Sequence, residues 1–141
     1  MIDKIIKNFQ EASEVIREKA SALGQDAKDK TSKLLDEWLG VFPDLLAMGF
    51  EMTSFSVGYA ISPSINVELK ANPEDFSIEQ LSELIKKQRE KKTLTSVLSS
   101  IKSARALYER MDMEIKSPLI VKVKVKITPE IVVYFGQPMI P

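Results

Sequence analysis

Histidine and cysteine are both missing from this sequence, and these two absences exclude more chemistry than any residue present suggests. Without histidine there is no imidazole base, no imidazole metal ligand and no Ser-His or Cys-His nucleophile. Without cysteine there is no disulfide framework, no thiolate nucleophile and no thiolate metal site. The five glycines are dispersed and form neither a GxxxxGK nor a GxGxxG phosphate-binding loop. Asp26 and Asp29 do not approach the D-x-[DN]-x-[DN]-G spacing of a calcium loop. No uncharged run nears the ~18 residues that a membrane span needs. Twenty basic side chains cancel twenty acidic ones, so no global field steers the chain toward nucleic acid, an anionic membrane or an acidic partner. The expectation is a cytoplasmic protein that is not an enzyme and carries no cofactor.

What is present reads as one domain of 141 residues, long enough to bury roughly two thirds of its unfolded surface. Its first part, residues 1–40, is an amphipathic helix: Ile5, Phe9, Ala12, Ile16, Ala20, Leu23, Ala27, Thr31, Leu34 and Trp38 hold a 3.6-residue period. Gly24 is the only plausible break, and Gly40 reads as the C-terminal cap. The body, residues 41–141, opens with a short helix from Pro43 to Met48, ended by Gly49. A later helix has a capping box, Ser77 with Gln80, and a hydrophobic staple, Phe76 with Leu81; its core face is Ile78, Leu81, Leu84 and Ile85. A second stripe, Leu94, Val97, Leu98, Ile101, Arg105, Tyr108 and Met111, is half a turn out of phase with the first. The chain must therefore turn between residues 91 and 95, with Thr93 or Thr95 as the new N-cap. Pro118 marks the end of the helical region.

Two segments resemble each other. Residues 55–70 read FSVGYAISPSINVELK and residues 121–136 read VKVKVKITPEIVVYFG. Aligned without gaps they share Val57/Val123, Ile61/Ile127, Pro63/Pro129, Ile65/Ile131 and Val67/Val133. Each alternates apolar and polar residues around a proline break, the pattern of a β-hairpin with one buried face. Valine and isoleucine matches are common between any two strands, so the likeness fits duplication or coincidence. The fold class expected is α+β: a four-stranded antiparallel sheet made of the two hairpins, with helices mainly on one face.

Few residues suggest catalysis. Ser99 and Lys102 match S-x-x-K, but the S-D-N and K-T-G elements that accompany it in penicillin-binding enzymes are absent. Glu11, Glu14 and Glu18 share one helix face and Glu79 and Glu83 another, yet a carboxylate-bridged metal pair in a bundle ordinarily adds Glu-x-x-His. The cations Lys86, Lys87, Arg89, Lys91 and Lys92 follow the acids Glu74, Asp75, Glu79 and Glu83, an arrangement that complements a helix dipole. Lys122, Lys124 and Lys126 with Tyr134 would bind a single nucleic-acid strand only weakly, with one stacking ring and no net charge.

These readings favour a non-catalytic protein-interaction or assembly module, with an apolar-ligand carrier or peripheral lipid binder as the alternative. A continuous helix over residues 2–39 would be about 57 Å long, against a radius of gyration of about 13 Å for the rest. Either it folds back at Gly24, or Ile2, Ile5, Phe9 and Ile16 project and meet a partner. The outer sheet face adds Met52, Val132 and Tyr134 as candidate interface residues. The partner expected is another protein or a second copy, a dimer above all, with no nucleic acid and no transmembrane segment.

Overall fold

The computed structural model describes residues 2–22, 24–58, 64–126 and 129–136, without the side chains of 2–6, 19, 21 and 27. Among these residues the chain forms α1 (Ile2–Ser21), α2 (Gln25–Ala47), β1 (Glu51–Gly58), β2 (Ser64–Ala71), α3 (Ile78–Lys87), α4 (Lys92–Arg110), β3 (Leu119–Val125) and β4 (Glu130–Phe135). The strands make one antiparallel sheet in the order β1-β2-β3-β4. The helices pack on one face of it, so the α+β architecture read from the sequence holds.

The long N-terminal stripe folds back on itself. Gly24, at φ +117°, takes a backbone conformation that side-chain-bearing residues avoid, and α1 and α2 pack together. Arg17 of α1 reaches Asp36 of α2 at 2.6 Å. The reason is apolar: Phe9, Ala12 and Ile16 of α1 and Leu35, Trp38, Val41, Phe42 and Leu45 of α2 belong to one buried cluster with the sheet. The Phe9 ring stands edge-on to Phe42 at 5.2 Å and to Phe55 of β1 at 6.3 Å.

Gly40 is not a cap. The helix continues through Gly40 and Pro43 to Ala47, because Trp38, Val41, Phe42 and Leu45 form one unbroken buried stripe whose packing outweighs the backbone hydrogen bond that the proline cannot make. The stop comes at Gly49, with φ +110°. There the Phe50 N–H bonds the Leu45 carbonyl and the Gly49 N–H bonds the Leu46 carbonyl, each at 3.2 Å, the pairing of a Schellman motif. The separate short helix expected from Pro43 to Met48 is thus the last part of α2.

The capping box at α3 forms as expected: Ser77 Oγ accepts from the Gln80 N–H at 3.2 Å and Gln80 Oε1 accepts from the Ser77 N–H at 2.9 Å. The turn into α4 falls at residues 88–91, and neither threonine caps it. Lys91 is the N-cap, while Thr93 donates to Glu37 of α2 at 3.2 Å and Thr95 to the Lys92 carbonyl at 2.9 Å. α4 also ends well before Pro118. Asp112, at φ +53°, closes it, with Met113 N–H on the Tyr108 carbonyl at 2.9 Å and Asp112 N–H on the Glu109 carbonyl at 3.2 Å.

The two hairpins have equivalent registers. Phe55 pairs with Val67 and Val57 with Ile65 in the first; Val121 pairs with Val133 and Val123 with Ile131 in the second. Pro129 lies in the β3–β4 connection, whereas Pro63, Tyr59, Ala60, Ile61 and Ile127 are outside the described residues. Ile65, Val67, Leu69, Val121, Val123, Val125 and Phe135 are buried under the helices, the face that the alternation assigned to the core.

Candidate functional site

Among the described residues no helix covers the sheet's other face, which carries three cross-strand rows. They run Ser56, Asn66, Lys124, Glu130; then Ser54, Glu68, Lys122, Val132; then Glu51, Lys70, Ile120, Tyr134. Lys122 Nζ lies 3.8 Å from Glu68 Oε1 and 5.2 Å from the Tyr134 ring centroid. Lys124 and Lys126 approach Glu130 at 3.9 and 3.8 Å. Thr53 Oγ1 holds Glu68 Oε2 at 2.7 Å. Each lysine of the ladder therefore has an acidic neighbour, and the depression of about 340 Å³ over the middle of this face has cations and anions alternating along its walls. Such a surface does not concentrate phosphate charge.

Met52 is not on this face. A bulge between Met52 and Ser54 puts two residues of β1 against one of β2, so the alternation slips by one position. Met52 then pairs with Leu69 and packs against the core. Phe9 and Ile16, also expected at an interface, are 1% and 2% exposed; their own body covers them once α1 folds back. The side chains of Ile2 and Ile5 are outside the description. Of the expected interface residues, Val132 at 45% exposure and the half-buried Tyr134 remain on the open face.

No hydrogen bond joins Ser99 to Lys102, and Ser99 is exposed on the helix surface. Among the described residues no three acidic side chains are grouped to hold a metal ion, and no helix is long and apolar enough to cross a membrane. Comparison with protein families, with curated proteins and with solved structures finds no match for this chain. The surface must speak for itself.

Its most distinctive part is the β4 edge. In an antiparallel ladder, opposed residues alternate between pairs that exchange both backbone hydrogen bonds and pairs that exchange none. Gly136 N–H donates to the Pro118 carbonyl at 2.8 Å, and Leu119 stands opposite Phe135. Counting back, Glu130, Val132 and Tyr134 turn their N–H and C=O groups toward β3, whereas Ile131, Val133 and Phe135 turn theirs outward. Among the described residues no strand lies beyond β4. Three donors and three acceptors are left on that edge.

Natural sheets blunt such edges with lysine, proline or a bulge. β1, the opposite edge, has its bulge at Thr53. The β4 sequence EIVVYF has one charge, at its very start. Exposed apolar side chains gather nearby: Leu107, Met111 and Met113 are 44%, 59% and 46% exposed, at the end of α4 that packs on β4, where Tyr108 meets Phe135 edge-on at 5.1 Å. Sequence reading passed over Leu107, Met113 and the free edge. Alternation reveals that β4 is a strand, but only strand order reveals that it lies outermost.

Proposed function

We propose that this chain is a non-catalytic protein-interaction or assembly module, acting in the cytoplasm, that engages its partner through β4. The observation that carries this reading is an edge strand whose outward backbone groups lack a strand neighbour among the described residues and which no bulge, proline or lysine protects. Strand addition supplies affinity from such backbone groups, and flanking apolar side chains supply selectivity. Val132 on the open face and Leu107, Met111 and Met113 on the helical side are suited to that second role.

The alternative, an apolar-ligand carrier or peripheral lipid binder, has less support. Phe9, Ala12, Ile16 and Ala20 are spent inside the fold, so the described apolar stripe of α1 is not available to a membrane surface. The cleft of about 580 Å³ beside α3 mixes Met48, Phe76 and Leu84 with Asp75, Glu83, Lys86 and Lys87, a more charged lining than an apolar ligand ordinarily meets.

Replacing Val132 by photoreactive benzoylphenylalanine in living cells tests the reading. The expected result is a covalent protein adduct well above that obtained with the same group at Ser103, an exposed position of α4. Equal yields at the two positions overturn it.

A further inference from the structure

We infer that the partner is a second copy of this chain, paired antiparallel with β4 about a twofold axis through Val133, so that two four-stranded sheets join into one of eight strands. This rests on the interaction-module reading and adds the partner's identity and register.

A twofold axis pairs a strand with itself antiparallel. With the axis at Val133, Ile131 stands opposite the second copy's Phe135, and Val133 opposite its own counterpart. These are the residues whose N–H and C=O groups point outward, so all six groups on each edge find partners. Moving the axis to Val132 would set Phe135 against Pro129, which has no N–H to give.

Side chains agree with that register. On the open face Val132, 45% exposed, meets the second copy's Tyr134, an aromatic and β-branched cross-strand pair of the stabilising kind. Glu130 comes opposite the second copy's Gly136. Lys116 occupies the room beside that glycine: a Cβ built on Gly136 would sit 3.0 Å from Lys116 Cβ. Lys116 forms no ion pair with a described residue. The arrangement therefore brings Glu130 of each copy beside Lys116 of the other, twice by symmetry, and keeps the two Glu130 side chains at opposite ends of the junction. Because the β1 edge is interrupted by its bulge, β4 is the one edge suited to pairing among the described strands. The assembly closes as a dimer and does not grow into a fibre.

Sedimentation velocity combined with residue-resolved amide exchange tests this on the full chain. The expected result is a dimer in which the Ile131, Val133 and Phe135 amides exchange about tenfold or more slowly than solvent-facing edge amides. Val133→Pro removes an outward donor and leaves the β3–β4 ladder its own bonds, so a folded monomer is expected. Glu130→Lys should raise the dimer dissociation constant about tenfold, and Lys116→Glu in the same chain should restore it. A chain that stays monomeric at several hundred micromolar overturns the inference, while the photochemical yield at position 132 still judges the interaction reading separately. A dimer whose three outward amides exchange freely, or a charge reversal that the second substitution does not repair, also overturns it and moves the interface elsewhere.

Discussion

Arg105 Nη1 donates to the Phe76 carbonyl at 2.9 Å, and to the Pro73 carbonyl at 2.6 Å. Its side chain is only 14% exposed. Pro73 and Phe76 flank the short turn between β2 and α3, so α4 fastens the start of α3 across the end of the sheet. Arg105→Met keeps the apolar stem and removes the charge-assisted donors, leaving the Phe76 carbonyl without its guanidinium partner and the Pro73 carbonyl with the Phe76 N–H that it accepts at 3.1 Å. The expected loss is about 1.5–3 kcal/mol, read as a lower urea midpoint with an unchanged slope.

Ser77 and Gln80 satisfy each other's backbone donors at the start of α3. Ser77→Ala should cost about 1 kcal/mol. Thr95→Ala, beside an N-cap that has no side-chain hydrogen bond, should change stability by less than about 0.5 kcal/mol. Equal losses in the two denaturation curves would contradict the assignment of the caps.

Phe9 is 1% exposed, between Phe42 and Phe55. Phe9→Ala should destabilise the folded chain by about 3–5 kcal/mol at every protein concentration. If Phe9 belonged instead to an interface between copies, the loss would shrink on dilution, so unfolding at two well-separated concentrations decides between them.

Met52 leaves the outer face that simple alternation gives it, whereas Val132 keeps that place. Met52→Ala should cost about 1–2 kcal/mol, less than a fully buried methionine because the side chain is half exposed. Val132→Thr should stay within about 0.5 kcal/mol in the monomer. A larger loss at position 132 than at position 52 under monomeric conditions would contradict the bulge.

What the sequence by itself determined is local. The capping box spans four residues, the hairpin registers follow from a two-residue alternation about a short connection, and the buried stripes of α1 and α2 follow from a 3.6-residue period. Each of these signals is read within the segment that carries it, because the backbone hydrogen bonds or side-chain directions concerned belong to neighbours in the chain. Only the tertiary structure decided the rest. Gly40 and Pro43 resemble a helix end, yet Trp38, Val41, Phe42 and Leu45 carry the helix past them because all four sit in the same core. Met52 turns inward because β1 and β2 accommodate one extra residue between them. Phe9 is covered because α1 returns along α2, and β4 is an outer strand among those described because β1 pairs with β2 and not with β4, which pairs with β3 alone. These outcomes depend on contacts between residues far apart in the chain, whose free energies no local pattern records.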